Sequence, residues 1–401
     1  MNNIFEVYLA IEDVPGSEAS TSLTLPAMPY EVLDALDKLR IGGRDSMYME
    51  ISEYFNFGFL APYADGQCSL YGLNALALKL GELDTRQSTA FEGLVKMEVS
   101  KKQGPLSMPK LIDLAYSAEC CHVVAEAMND SLLGRFYVDN GFVPETEGIS
   151  DELFEMLDFE NTGRSLRHGE GGVFTSGGYV VQHADLNEMF MNLDLSPHKP
   201  DYQHLLEISL GHFGDPEYDN DNLVRLKLPA SDRAINAMLT ELCAASVEEI
   251  GWRCLDCRIP VLMDAVTGAE SLDELNSFAM ALSEMNEEEV VQYKTVIEAT
   301  GCKALPDAEE LRGHLGEYTI TPNISSPIEM AHAELDFMMD RDEAERLKPF
   351  VDLYGYGKAA IERHGGKLTT YGFIERKDLQ PVQPVSEQQT QKGMEMVYGR
   401  R

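Results

Sequence analysis

Residues 73–83 read LNALALKLGEL, and residues 275–285 read LNSFAMALSEM. In the first stretch Leu73, Leu76, Ala77, Leu80 and Leu83 recur at three- and four-residue steps. Side chains so spaced share one face of a helix, so the pattern predicts a strongly amphipathic helix over Leu70–Leu83 that buries one side. Working outward, further matches flank this pair. Phe5-Glu6-Val7-Tyr8-Leu9-Ala10 corresponds to Leu206-Glu207-Ile208-Ser209-Leu210-Gly211, and Leu25-Pro26-Ala27 to Leu228-Pro229-Ala230. Gly171-Gly172-Val173-Phe174-Thr175 and Gly178-Tyr179-Val180 correspond to Gly365-Gly366-Lys367-Leu368-Thr369 and Gly372-Phe373-Ile374. The offsets (206 − 5 = 201, 228 − 25 = 203, 275 − 73 = 202, 365 − 171 = 194) drift slowly and keep their order. An old duplication with small deletions gives that pattern.

Each copy reads as α+β, so the fold expected is two divergent tandem copies of one α+β unit, elongated and acidic. Alternation predicts strands over Phe5–Ile11, Ser22–Leu25 and Met47–Tyr54, with Gly16-Ser17 in a connecting loop. Pro29 suits the first position of a helix whose apolar face is Val32, Leu33, Leu36 and Leu39. Helical spacing continues over Thr89–Val99 and is expected over Ser107–His122, while Gly172–Gln182 reads as a hairpin turned at Gly177-Gly178. The boundaries follow: a first unit at 1–196, a linker at 197–204 around Ser196-Pro197-His198-Lys199-Pro200, and a second unit at 205–376. A loose Gln-, Pro- and Ser-rich tail is expected over 377–401.

The 401 residues carry 68 Asp and Glu against 32 Lys and Arg, a net charge of −36. Residues 1–200 hold 31 acids and 13 bases, and residues 201–401 hold 37 and 19, so each half stands at −18. The charge therefore belongs to the whole body and not to an acidic tail. With 44% hydrophobic residues the chain is globular, and self-repulsion on this scale exceeds what solubility needs. Direct binding of nucleic acid is disfavoured, because phosphates would be repelled. Seven cysteines, an odd number, argue against a disulfide framework. The opening MNNIFEVYLAIEDVPG has no leader pattern, and no apolar run approaches the ~20 residues that cross a bilayer. A cytoplasmic protein is expected, with no membrane partner.

Motifs that could carry chemistry fall short. Cys254-x-x-Cys257 lacks the second knuckle of a zinc site, and Leu255 and Ile259 suggest a buried strand with core thiols. Adjacent Cys120-Cys121-His122 cannot chelate one ion comfortably and is expected in a buried helix. Asp215-Pro216-Glu217-Tyr218-Asp219-Asn220-Asp221 resembles a calcium loop only faintly. Counted from Asp219, position twelve is Ala230 where an EF-hand needs Glu, so an acidic hairpin loop is the simpler reading. His168-Gly169-Glu170-Gly171-Gly172 lacks the spacing of a phosphate loop and aligns with Glu362-Arg363-His364-Gly365-Gly366, which points to a turn. No catalytic residue, cofactor site or metal ligand is expected, and the chain is read as a non-enzyme.

What remains is the crowding of acids on three predicted helix faces. Asp151, Glu152, Glu155, Asp158 and Glu160 form one cluster, and Glu284, Glu287, Glu288 and Glu289 a second. Asp336, Asp340, Asp342, Glu343 and Glu345 form the third. Like charges at such spacings destabilise a helix by a few tenths of a kcal/mol per pair, so their retention suggests a use. B-DNA carries one negative charge per roughly 1.7 Å, so 36 surplus charges match about 36 × 1.7 ≈ 61 Å of duplex. A basic DNA groove would attract such a surface.

The stretches EISEYFNFGFLAP (50–62), LNALALKLGELDTRQSTAFEGLVKMEV (73–99), LIDLAYSAECCHVV (111–124) and LDCRIPVL (255–262) resemble ArdA-like antirestriction proteins of bacterial mobile elements. The similarity covers most of the chain as whole segments and not as a catalytic signature. It implies an acidic, elongated DNA mimic that occupies the DNA-binding groove of a defence enzyme such as a type I restriction–modification complex. A homodimer is among the partners it implies. The competing reading is an acidic interaction or scaffold protein without mimicry.

Overall fold

The computed structural model describes residues 2–11, 19–40, 47–64, 69–101, 105–196, 199–211 and 222–385. Helix and strand are mixed throughout, with the strands confined to small sheets, an α+β architecture. The chain opens with β1 (Phe5–Ile11), β2 (Ser20–Leu25), α1 (Pro29–Leu39) and β3 (Met47–Glu53). Three helices follow, α2 (Leu70–Glu82), α3 (Thr85–Lys101) and α4 (Met108–Tyr116). Next come β4 (Cys121–Val124), α5 (Asp130–Asp139), α6 (Asp151–Phe154), α7 (Phe159–Glu170), β5 (Val173–Thr175) and β6 (Gly178–Gln182).

A similar succession follows: β7 (His204–Leu210), β8 (Val224–Leu228), α8 (Asp232–Glu241) and β9 (Ile250–Cys257). Then run α9 (Met263–Thr267), α10 (Leu272–Ser283), α11 (Glu287–Thr300), α12 (Leu305–Gly313) and β10 (Tyr318–Thr321). The last described elements are α13 (Pro327–Met338), α14 (Arg341–Leu347), α15 (Leu353–His364), β11 (Lys367–Thr369) and β12 (Gly372–Arg376).

Among the described residues there are four three-stranded sheets, ordered β2-β1-β3, β4-β6-β5, β8-β7-β9 and β10-β12-β11. In the second, Val123 and Val173 both pair with Val180; in the fourth, Ile320 and Lys367 both pair with Ile374. The Leu25–Pro26 and Leu228–Pro229 bonds are both cis. The two hairpins turn through Ser176-Gly177 and Thr370-Tyr371, one residue earlier than the sequence suggests. Gly178 and Gly372 already pair as first strand residues, at φ 131° and 132°.

The chain gathers into two compact units. One holds Met1–Val7, Thr24–Pro26 and Met49–Pro197; the other holds Tyr8–Leu23, Ala27–Tyr48 and His198–Arg401. These bounds differ from 1–196 and 205–376 in that Tyr8–Leu23 and Ala27–Tyr48, the latter carrying α1, belong with the second unit. For α1 the reason is chemical: Asp34 and Asp37 meet the buried Lys294 of α11. The Tyr30 ring also packs edge-on against Tyr202, with centroids 5.6 Å apart.

The amphipathic helices bury the side their spacing indicated. In α2 Leu73, Leu76, Ala77 and Leu80 are buried, and in α10 Leu275, Phe278, Ala279 and Leu282. Phe91 of α3 and Tyr293 of α11 are wholly enclosed. The expected helix over Ser107–His122 is a correction: α4 ends at Tyr116. Ser117 Oγ donates to the Asp113 carbonyl at 2.6 Å, a 3-10 turn follows at Ala118–Cys120, and Cys121-His122 begin β4. Beside β6 those residues complete a sheet, and that pairing outweighs the local helical period.

The loose tail is also corrected in part. Val382 is buried, its N–H donates to the Gly365 carbonyl at 2.9 Å, and Val385 packs on the same core. Residues 386–401 lie outside the described residues, as do Gly16-Ser17, Pro197-His198 and the acidic stretch Asp215–Asp221.

Candidate functional site

In the first unit α5 and α7 pack at close range because glycines face each other. A Cβ on Gly134 would lie 1.9 Å from the Phe159 carbonyl oxygen, and one on Gly163 1.9 Å from that of Asp130. Arg167 Nε and Nη2 bond Asp130 at 2.8 and 3.1 Å, and this guanidinium holds the carboxylate below its usual range. Tyr137 and Tyr179 both donate to Glu170, at 2.7 and 3.0 Å. On this braced pair sits the first acidic cluster. Asp151 and Glu152 start α6, Glu155 caps its end, and Asp158 caps α7 by accepting from the Asn161 N–H at 2.9 Å. Glu160 follows in the first turn of α7 and pairs with Arg164. All five are exposed. Acids in first helical turns are favoured by the helix dipole, by about 0.3–1 kcal/mol each, so this arrangement costs less than the like-charge spacing implies.

The four acids of the second cluster do not share one role. Glu284 is exposed at the end of α10, and Glu288 is exposed at the start of α11. Glu287 accepts from the buried Arg258 guanidinium at 3.1 Å and also pairs with Lys199. Partial burial would raise the Glu287 carboxyl, but Lys199 and Arg258 hold it low. Glu289 closes a capping box, accepting from the Asn286 N–H at 2.8 Å while its own N–H donates to the Asn286 side chain at 2.9 Å. Two of the four acids therefore hold the fold.

In the third cluster Asp336 ends α13, Asp340 precedes α14, and Asp342, Glu343 and Glu345 lie along α14; all are exposed. Basic residues are interleaved here. Lys348 bonds Glu345 at 2.6 Å and Asp336 at 3.5 Å, and Arg341 and Arg346 lie in the same stretch. The first cluster belongs to the first unit, and the other two to the second.

Two buried polar networks in the second unit escape a reading of the sequence. Lys294 Nζ lies 2.7 Å from Asp34 and 2.8 Å from Asp37, and the Tyr371 hydroxyl donates to Asp34 at 2.8 Å. Burial alone would raise Asp34; Lys294 and Lys38 overcome it and keep the carboxylate ionised. Nearby, Asp256 accepts from the Tyr202 hydroxyl at 2.8 Å and from the Tyr30 N–H at 3.2 Å. Burial nevertheless pushes its carboxyl up to about 6. No spacing signal joins residues 34 and 294, so only the fold brings them together.

Open clefts among the described residues include one in each unit. One of about 520 Å³ in the first unit is lined by Lys101, Glu170, His183 and Asp185; one of about 700 Å³ in the second is lined by Asp37, Glu288, Ile320 and Tyr371. The Cys254 and Cys257 thiols are free, donating to the carbonyls of Asp256 and Ile259 at 3.3 and 3.1 Å, and β9 is the buried strand that Leu255 and Ile259 suggested. Among the described residues no group of three or more His, Cys, Asp or Glu is placed to hold a metal ion. Both glycine-rich segments are helix ends: Gly171 and Gly365 stop α7 and α15 in the left-handed conformation. The hairpin turns that follow are bonded by carboxylates, Ser176 Oγ to Glu92 at 2.7 Å and Thr370 Oγ1 to Glu298 at 2.6 Å. No helix of the described residues is long and apolar enough to cross a membrane.

No family model matches this chain, and no curated protein matches it.

Proposed function

We propose that this chain is a non-catalytic, DNA-mimicking inhibitor of a DNA-binding defence enzyme, with a type I restriction–modification complex as the target implied by its resemblance to ArdA-like proteins. In this reading it is an intracellular protein of a mobile element, built from two divergent copies of one α+β unit. The observation that carries the reading is the acidic stretch around α6: residues 141–163 contain seven acids and no Lys, Arg or His, within a half that stands at −18. Apart from Glu160, which pairs with Arg164, these carboxylates make no ion pair among the described residues, and they offer a basic groove what phosphates offer it. The repeated sheet orders and the paired hairpin turns support the duplication.

The test is competition. Increasing DNA should displace the protein from the purified restriction enzyme, and affinity should fall steeply with salt through counterion release. The combined variant Asp151→Asn, Glu152→Gln, Glu155→Gln should flatten that dependence by about 0.9 in logarithmic slope per mimicked phosphate. These three side chains make no ion pair among the described residues, whereas Glu287 pairs with Lys199 and Arg258 and Glu289 closes a capping box, so they probe charge without removing such a contact. A stable ternary complex of enzyme, DNA and this protein with restriction unimpaired sinks the mimicry. The scaffold reading then takes its place, favoured by the large apolar side chains Phe337 and Phe350, which are 92% and 85% exposed.

A further inference from the structure

We propose that the segment from Phe142 to Glu160 is an anchored docking face, which grips a basic protein surface bearing apolar side chains through Phe142, Leu153 and Met156. This rests on the inhibitor reading only in taking a basic protein surface as the partner. The three side chains are 60%, 56% and 81% exposed. Single exposed apolar residues are ordinary. Three large ones in a short stretch whose ionisable residues are all acids are not, because water and charge surround surface that could be buried.

Phe142 is also held in place. Its ring stacks on Phe136, centroids 6.3 Å apart, and meets Tyr137 edge-on at 5.6 Å. Tyr137 in turn donates to Glu170, and the helices beneath are locked by the Gly134–Gly163 contact. An aromatic side chain fixed before binding loses little entropy on binding, so it serves as an anchor and not merely as a contact. The occupant follows from charge. A second copy would set seven acids, of which only Glu160 is ion-paired among the described residues, against seven more, whereas a surface rich in Lys and Arg is attracted. Its apolar residues are needed to cover Leu153 and Met156, which a phosphate-binding surface of cations alone leaves wet.

The consequence is a component of binding that salt does not screen, since apolar burial does not depend on counterions. The test uses the full chain and two synthetic probes, an amphipathic helical peptide of Lys and Leu and an oligolysine of equal charge, followed by fluorescence anisotropy. The Lys/Leu peptide should bind more tightly, and its advantage should survive about 0.5 M NaCl, where the screening length is only a few ångströms. The variant Phe142→Ser, Leu153→Ser, Met156→Ser should lose that advantage by about tenfold or more, with oligolysine binding unchanged.

Met156→Ser alone reads the same effect at reduced size should the triple variant fold poorly. Met191→Ser, at a residue 86% exposed outside the segment, is the control. Undiminished peptide binding by the triple and single variants overturns the proposal, as does an equal loss in the Met191 variant. A triple variant that turns a dimer into a monomer with peptide affinity intact overturns it too, because the face then joins copies of this chain. Peptide results as expected alongside failed competition at the restriction enzyme would remove the inhibitor reading and leave the docking face standing.

Discussion

His204 occupies a place where a charged side chain would be costly. It is fully enclosed at the start of β7, its ring lies parallel to Phe278 at 5.7 Å, and neither ring nitrogen has a hydrogen-bond partner. Burial lowers its pKa from the usual 6.5 to about 4. The unfolded chain therefore takes up a proton that the folded one refuses. The contribution of His204 should be full above pH 6.5, decline as the pH falls towards 4 and level off below, a loss of about 3 kcal/mol, while Asp256, raised by burial to about 6, contributes in the opposite sense over the same window. Urea unfolding at stepped pH measures it, and His204→Leu should remove that segment of the pH dependence; an unchanged profile would show that other groups set it. Lys294 shows the opposite solution at the same scale, a buried charge kept because the carboxylates of Asp34 and Asp37 face it. Removing one partner of such a pair commonly costs 3–5 kcal/mol. Neither residue is conspicuous in the sequence, where one lysine among 32 bases and one histidine among nine look like any others.

Elements were easier to read than their ends. The spans of α2 and α10 follow from apolar spacing alone, and Pro29 does open α1. Over 107–122 the local period favoured helix, but the cross-strand partners of Cys121–Val124 lie near residue 180, beyond any local window. The close pairing of α5 with α7 is similarly hidden, since each glycine looks like a helix-weakening residue until its neighbour is known. Gly163→Ala should be destabilising by about 1–3 kcal/mol despite the better helix propensity of alanine, because its Cβ would overlap the Asp130 backbone oxygen. Thermal denaturation decides between the two effects: a raised melting temperature would mean that propensity wins and that the helices separate easily.

At the scale of the whole molecule the net charge of −36 governs stability as well as partners. Most cations near the acidic clusters are already paired, as Arg164, Arg167 and Lys348 are, so the surplus carboxylates repel one another. Screening relieves that repulsion. Raising NaCl from about 0.05 to about 0.5 M should lift the melting temperature by on the order of a few degrees. A fall instead would mean that ion pairs such as Asp130–Arg167 outweigh the repulsion.

The sequence by itself determined the α+β class, the elements from β1 to α3 and the last hairpin of the first copy, the apolar faces of the long helices and the charge of each half. All of these depend on residue type and short-range period. Which acids are free for a partner was decided only by tertiary structure. Glu287, Glu289 and Glu155 are equivalent by composition, yet the first braces a buried arginine, the second closes a helix cap and the third faces water. The assignment of α1 to the second unit depends likewise on a lysine 257 positions away. A carboxylate's role is set by what stands within about 3 Å of it, and for these residues the decisive neighbours lie on another element or across a helix turn.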